Sequence, residues 1–423
     1  MTALPTTAQP TGLEWDLLER VPGRPLPGHL YTDAAVYDAD LRHVFGRHWF
    51  LATTEAEVRE PGDFVTIDVD RRSIIVIRDD DGQVRAFHNV CRHRGARLLT
   101  EPSGFVGNLT CGYHSWTYGT DGRLLHAPGL TGTDPACLSL RAVAVRAVAG
   151  LVFLSLAAVP PTDIDDFAAL ATPYLEPHGL ARAKVAAQVD LEEAGNWKLV
   201  MENNRECYHC DGHPELSCSF FPTYGLEAHE VPERLRPAHE RFTAAEADLH
   251  ARCVELGLPD ALLEDLVDPD VAHRVAREPL DGAGESFSLT GRAVVRRPLA
   301  DLGEARLGRL SIHTQPNAWL HVLSDHAVVF SVLPLGVDRT LVRTTWLVHE
   351  DAVEGVDYDL AELTHVWTET NAQDSAFVAL TQAGVADPAY EPGPYTSSEY
   401  QVDHFLSWYT AKMLDGLTAG RAS

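Results

Sequence analysis

Two cysteines and two histidines in two short segments constrain this chain more than any other feature. Cys91-Arg92-His93 and Cys111-Gly112-Tyr113-His114 are separated by 17 residues. A [2Fe–2S] cluster held by two thiolates on one iron and two imidazoles on the other needs one Cys and one His from each of two loops, and this pattern supplies them. The same donors satisfy tetrahedral zinc, but zinc fingers usually pair Cys with Cys and His with His, whereas each segment here is mixed. Strand-like stretches flank both segments, Phe64–Val69 and Ser73–Ile77 before them and Leu151–Leu156 after them, so an all-β scaffold is expected. Gly95 and Gly112 suit tight loops that turn backbone N–H groups toward sulfur.

A cluster of this Rieske type has a raised potential, because neutral imidazoles replace two thiolates, and it suits single-electron transfer to an acceptor. A candidate acceptor lies about ninety residues on, between Asn196 and Pro214. On a continuous helix Glu202, Glu206, His209 and His213 advance by four, three and four and share one face, and Gly212 and Pro214 predict that the helix frays at His213. Two neutral histidines plus a carboxylate from elsewhere make the facial triad of a non-haem Fe(II) site with positions open for O₂. Cys207 and Cys210 with His213 also read as a zinc half-site or a redox pair, and an i, i+4 histidine pair is often only a solvated helix face. Beside the cluster motif, an iron centre awaiting electrons is the economical reading.

The chain resembles the large (alpha) subunit of Rieske non-haem iron oxygenases from about Leu26 to the C-terminus. It is most similar to the branch that attacks quaternary ammonium compounds, such as glycine betaine monooxygenases and stachydrine demethylases. The segments that carry this are Glu202-Asn203-Asn204-Arg205-Glu206-Cys207-Tyr208-His209-Cys210, His213-Pro214-Glu215-Leu216, Ser331-Val332-Leu333-Pro334-Leu335-Gly336 and Glu391-Pro392-Gly393-Pro394-Tyr395. The resemblance implies a [2Fe–2S] cluster on Cys91, His93, Cys111 and His114, and mononuclear Fe(II) on His209, His213 and a distant carboxylate. Asp374 fits that role, because Asn371-Ala372-Gln373-Asp374 resembles the family's ligand segment. It falls in a helix predicted from about Asp359 to Gly384, on one face with Trp367, Asn371 and Val378, whereas Glu369 points well away. In the family, the acid three residues before the first histidine bridges the iron site to the Rieske histidine of a neighbouring subunit. Glu206 stands there, where many relatives carry Asp. Asn203 is a candidate to orient a ligand or O₂. Only three residues separate His209 from His213, where the family commonly has four.

The implied architecture is α+β: an N-terminal segment and helix packing on the catalytic domain (1–46), an all-β cluster domain (47–160), and a helix-grip (START-like) antiparallel-sheet catalytic domain (161–423). Met1–Pro27 is Pro- and Thr-rich and expected to be loose, with a helix near Asp33–Phe45 after it. A helix is expected near Thr162–Ala171, mostly helical and exposed structure over Ala238–Arg277, then strands at Arg309–His313, Ala318–Leu323, Ala327–Leu333 and Leu341–His349.

A net charge of -27 argues against nucleic acid as a partner. Seven cysteines, an odd count, give no disulfide framework, and Ala96 and Tyr113 stand where respiratory Rieske proteins carry an extra disulfide. Without a signal-like N-terminus or an apolar run of about 18 residues, the chain is read as cytoplasmic. No glycine-rich dinucleotide fingerprint follows a strand, so electrons are expected from a separate NAD(P)H-dependent flavin and ferredoxin-type reductase. The resemblance further implies a homotrimer. Arg92, Arg94 and Arg97 beside the cluster read equally as docking groups for an acidic partner or as caps for backbone oxygens.

The expected function is O₂-dependent hydroxylation of an N-methyl group on a glycine betaine-like substrate, giving N-demethylation and formaldehyde. The alternatives are a ring-hydroxylating dioxygenase of aromatics and a Rieske electron carrier without catalysis. A quaternary ammonium ion has no N–H to donate, so recognition would rely on aromatic faces and a carboxylate clamp; Trp319, Phe330, Tyr208 and Trp346 are candidates, although ordinary core packing is the commoner role for each.

Overall fold

The computed structural model describes residues 12–226, 228–264, 273–300 and 302–422. Between Trp49 and Ser155 the chain is all β, in three small antiparallel sheets. Asp63–Val69 pairs with Arg72–Arg78, which pairs with Val84–His88, while Ser103–Phe105 closes the other edge. Trp49–Thr54 pairs with Leu151–Ser155, and that strand with Ala144–Val148. Leu109–Thr110, Thr117–Tyr118 and Leu124–His126 form the smallest sheet. Ile75, Ile77, Phe87, Trp116 and Tyr118 surround Cys91 and Cys111 in a core of their own.

The rest of the chain is built on one seven-stranded antiparallel sheet. Its order is Lys184–Glu193, Arg339–Val348, Ala327–Gly336, Ala318–Val322, Arg309–Thr314, His273–Glu278, Leu263–Glu264. Both faces of its middle are covered, and the period-two alternation of a strand divides the residues between them. Val328, Phe330 and Val332 join Trp197, Trp367 and Val378 on one face. Ala327 and Val329 join Ile164, Phe167 and Leu175 of helix Asp163–Leu175 on the other. This is the α+β arrangement expected. The four strands anticipated at 309–349 are all present, with no end displaced by more than three residues.

Three expectations change. Residues 1–11 of the segment expected to be loose lie outside the described residues, but from Gly12 the chain is ordered: helix Gly12–Leu18 and Leu26 pack inward, and Arg20 reaches Asp403 at 2.5 Å. Helix Arg236–Leu256 ends at Gly257, and His273–Glu278 is a largely buried strand rather than the tail of an exposed helix. Arg274 and Glu278 of this strand face a polar cavity, while Arg277 on the other face is satisfied by Leu307 O and His178, and such a sequence has the composition of a solvated helix. The third change concerns the segment holding the two candidate metal-binding histidines, His209 and His213.

Helix Trp197–Asn204 starts at Asn196, whose side chain accepts from Lys198 N–H, and is anchored by a buried polar knot. Asp40, on helix Ala34–His43, accepts from Trp197 Nε1 (3.0 Å), Tyr409 Oη (2.7 Å) and Lys198 Nζ, and all four side chains are buried. The knot ties this helix to an N-terminal helix and to the C-terminal helix Tyr400–Ala422. Truncating one partner would strand a charge, at a cost of about 3–5 kcal/mol. The helix then stops, so Glu206, His209 and His213 do not lie on it. Asn203-Asn204 are weak helix formers, and Asn204 Oδ1 instead accepts from Arg205 (2.9 Å). Pro214 disfavours the helical region at His213, which is extended at φ -95, ψ 101.

Candidate metal centres and substrate cavity

The two cluster loops are near copies of one another. Gly95 N–H returns to Cys91 O and Ser115 N–H to Cys111 O, each at 3.0 Å, while Cys91 N–H and Cys111 N–H bond Ala96 O and Trp116 O, each at 2.8 Å. Each loop turns on a residue with positive φ four places after its cysteine. That residue is Gly95 (φ 80) in one loop and Ser115 (φ 57), rather than Gly112, in the other. Asn89 stitches the first loop to the sheet, accepting from Leu98 and Leu99 N–H and donating to Leu99 O and Ser73 Oγ.

Both cysteines are buried, and the histidines sit at the surface side with ring centroids 4.6 Å apart. His93 stacks on Trp116 at 4.8 Å. Tyr118 Oη lies 3.4 Å from Cys91 Sγ and accepts from Arg92 N–H. Two sulfurs inward, two imidazoles outward and a hydroxyl at a sulfur fit a mixed-ligand [2Fe–2S] cluster. Among the nearby arginines, Arg94 reaches Tyr113 Oη and Arg97 reaches Asp68.

His209, His213 and Asp374 converge, with one ligand atom of each within 4.8 Å of the others. Asp374 stands on helix Leu360–Val385, close to the expected span, on the face that buries Trp367 and Val378, while Glu369 is exposed. Asp374 Oδ1 is 3.2 Å from His209 Nε2 and 3.3 Å from His213 Nε2. His213 Nε2 is buried yet makes no hydrogen bond of acceptable direction, as expected of a lone pair aimed at a shared point. The donor set, two imidazoles and a carboxylate, fits non-haem iron.

Each imidazole is held by its other nitrogen. His209 Nδ1 meets Glu206 Oε1 at 2.6 Å, and Glu206 Oε2 also accepts the backbone N–H of Tyr208. His213 Nδ1 meets Gln373 Oε1 at 2.9 Å; Gln373 Nε2 donates to both oxygens of Glu215, which also accepts from Thr370 Oγ1 at 2.7 Å. With Nδ1–H donating in both rings, each Nε2 presents its lone pair to a metal. Burial discourages charge on His209, and the Asp374 and Glu206 carboxylates oppose this by favouring positive charge at the ring, whether a proton or a metal cation supplies it. Against the same penalty of burial, the two histidines hold Asp374 below its ordinary value. Gln373 and Glu215 were not singled out in the sequence, although each sits within two residues of a ligand in a quoted motif.

A cavity of about 110 Å³ opens on this site. Arg274 and Glu278, then Arg309, Ser311 and His313 on the next strand, line it, while Leu310 and Ile312 point to the opposite core. Glu278 faces Arg309 directly across the strand pair and bonds Arg309 Nε (3.0 Å) and Arg274 (3.2 Å). Although burial would raise it, these two cations hold the Glu278 carboxyl at about 2. Arg309 lies 4.6 Å from both the Phe220 and Tyr224 ring centroids. Arg205 also lines the cavity; it bonds only neutral acceptors among the described residues, Asn204 Oδ1, Gln315 Oε1 and Ala318 O, and burial lowers its pKa to about 9.

The aromatic residues expected from the sequence do not line this cavity. Trp319 and Phe330 stack on each other in the core, Trp346 is fully buried, and Tyr208 is 65% exposed. Trp367, Phe220, Tyr224 and Tyr400 take their place. Asn203 lines both this cavity and a second, of about 300 Å³, on the other side of His209 with Glu202 and Glu206. Glu202 faces away from the iron site and accepts from Tyr31 Oη at 2.9 Å.

Residues 48–143 match the Rieske [2Fe-2S] domain, and residues 180–415 match the family described as ring hydroxylating alpha subunit (catalytic domain). The chain is 40% identical over 396 residues to the glycine betaine monooxygenase oxygenase subunit of Pseudomonas aeruginosa (strain UCBPP-PA14), covering 93% of this chain and 90% of that one. It is 41% identical over 408 residues to that of Chromohalobacter salexigens, covering 95% and 89%. In fold it is similar to the quaternary ammonium Rieske monooxygenase CntA in complex with gamma-butyrobetaine, with a TM-score of 0.67 at 20% identity over 94% of this chain and 98% of that one. The chain belongs to the ring-hydroxylating alpha-subunit family of Rieske non-haem iron oxygenases, as an oxygenase subunit with a Rieske domain followed by a mononuclear-iron catalytic domain.

Proposed function

We propose that this chain is the oxygenase component of a two-component monooxygenase that hydroxylates an N-methyl group of a glycine betaine-like substrate, releasing formaldehyde and the tertiary amine. Cys91, His93, Cys111 and His114 hold the cluster, and His209, His213 and Asp374 hold Fe(II). When bound, the cluster passes single electrons and the iron activates O₂, oxidising chemistry that the side chains themselves lack.

The protein's own part is to bind, orient and position. The observation that carries the substrate assignment is a buried arginine without an anionic partner beside aromatic faces in the iron cavity. Arg205 offers a guanidinium to a substrate carboxylate, which would supply the counter-charge its present neutral partners lack. Trp367, two helical turns before Asp374, lines the same cavity with its indole stacked on His321, and supplies aromatic surface for the methylated cation. An arene has neither charge, and this disfavours the ring-hydroxylating alternative. Some 260 residues of catalytic domain with a convergent metal triad disfavour a pure electron carrier.

Glu206 receives the Nδ1–H of His209 and is the group through which electrons enter, with Asn203 positioning the ligands around it. The route is from a neighbouring subunit in a homotrimer. Phe377 and Leu380, 48% and 70% exposed on the helix of Asp374, leave an apolar rim that a protein surface would cover. Val90 and Tyr113, 44% and 60% exposed beside the cluster histidines, supply such a surface. The electron donor is a separate NAD(P)H-dependent flavoprotein reductase with its own [2Fe–2S] centre. Among the described residues no helix is long and apolar enough to cross a membrane, and we place the reaction in the cytoplasm.

The test is turnover with a reconstituted reductase on glycine betaine, proline betaine, choline, carnitine and naphthalene, following formaldehyde and NAD(P)H. Formaldehyde in step with oxidation of glycine betaine is expected. A cis-diol from the arene, with no formaldehyde from any amine, would overturn the assignment.

A further inference from the structure

Two thiols that no part of the proposed chemistry uses flank His209. Cys207 and Cys210 are free and both line the iron cavity. The Cys210 N–H donates to the Cys207 carbonyl at 3.2 Å, so residues 207–210 close a turn, with His209 inside it. A turn of four residues brings its end Cα atoms within about 7 Å, at the upper end of the roughly 4.4–6.8 Å that a disulfide spans. Because the α-helix has already ended at Asn204, and Cys210 only opens the single 3-10 turn Cys210–Gly212, no α-helical hydrogen bonds need break for the sulfurs to join. The chain's other cysteines have no such neighbour in sequence: Cys91 and Cys111 belong to the cluster core, Cys253 is buried alone in a helix, and Cys137 and Cys218 are exposed.

We propose that Cys207 and Cys210 are an oxidation site that peroxide converts to a disulfide, and that this bond disables the iron centre by restraining the turn that carries His209. The inference rests on the reading of His209 as an iron ligand. Hydrogen peroxide, the two-electron reduction product of O₂, is the oxidant. One cysteine sulfur attacks the O–O bond, becoming a sulfenic acid as water leaves; the second sulfur then displaces the hydroxyl as a further water. Two thiols are thereby oxidised by two electrons, one peroxide is reduced to two waters, and dithiothreitol reverses the change. Peroxide released into the cavity during uncoupled turnover would meet these two thiols beside the metal site, so the pair would stop the enzyme while it was misfiring.

The experiment treats as-purified holoenzyme with graded hydrogen peroxide and then alkylates it. The linkage of residues 207 and 210 is mapped by mass, alongside cluster absorption, the rate of iron loss to ferrozine, and formaldehyde release. The expected result is a Cys207–Cys210 disulfide, at least tenfold faster iron loss and a tenfold fall in turnover, all reversed by dithiothreitol, with cluster absorption unchanged. Cys207→Ser and Cys210→Ala should each withstand the same treatment. The proposal is overturned if both residues are alkylated as free thiols at peroxide doses that oxidise exposed Cys218. It is equally overturned if the disulfide forms while iron loss is unchanged, or if both variants lose iron as the wild type does. Linkage mapping and iron loss need no substrate, so a wrong substrate assignment would leave both readouts intact.

Discussion

The two metal centres are built on opposite plans. The cluster site lies within residues 91–114, on two loops whose backbone hydrogen bonds repeat almost atom for atom. The candidate iron site joins residues from 205–215 to a helix about 150 positions later: Gln373 on that helix steadies His213, Asp374 on it meets both histidines, and Glu206 alone acts from within the turn. A locally encoded site depends on turn geometry, whereas an assembled one depends on the packing that brings its segments together. Substitutions should therefore separate the two centres cleanly.

The largest separation comes from removing a ligand at each. Asp374→Ala should lower formaldehyde release at least about a thousandfold and iron content several-fold, leaving the visible cluster spectrum intact, if the carboxylate is the direct metal ligand we propose. Cys111→Ala should do the converse, bleaching the cluster while iron remains. Loss of both metals in either variant, read by iron and acid-labile sulfide analysis, would break the comparison.

Glu206→Gln tests the assembled site one bond further out. It keeps the size of the side chain but weakens the acceptor for His209 Nδ1–H, so turnover should fall about 10–100-fold with both metals retained. Single-turnover measurement from a pre-reduced cluster would place the loss in electron transfer; turnover equal to wild type would remove Glu206 from the route.

Glu278 supplies a pH-dependent test. Its folded pKa, about 2, lies below the unfolded value near 4.3. The stability it contributes is therefore fully present above about pH 4.5 and is lost as pH falls toward 2. Glu278→Gln, which removes the carboxylate that Arg274 and Arg309 share, should cost about 3 kcal/mol in denaturant melts at pH 7, and the gap to wild type should close through that acid window. A gap that persists unchanged at pH 2.5 would show that the ion cluster is not its source.

Arg205→Met should raise KM for glycine betaine about tenfold and leave its methyl ester nearly unaffected, since only the acid carries the carboxylate. Equal effects on both would mean that Arg205 supports the cavity wall alone. The smallest effect is back at the cluster: Tyr118→Phe removes the hydroxyl at Cys91 sulfur and should lower the reduction potential by roughly 30–60 mV, the equivalent of about 1 kcal/mol for one electron. An unchanged voltammogram would place that hydroxyl outside the cluster's electrostatics.

What the chain alone determined follows the same division. The four proposed cluster donors could be picked out because ligand spacing within a turn is a local property, and the structure differs at the turning residue, Ser115 rather than Gly112. His209, His213 and Asp374 were legible as residue types in motifs, but the reason given for the histidines, a shared helix face, fails because the helix ends at Asn204 and Pro214 keeps His213 extended. Tertiary structure alone decided which cations and rings meet the substrate. Strand alternation separates Phe330 from Val329, and Arg309 from Leu310, yet it does not say whether a face meets packed core or open cavity. That depends on where the helix Leu360–Val385 and the turn at 205–213 settle above the sheet, contacts made across more than a hundred residues, which no local pattern encodes.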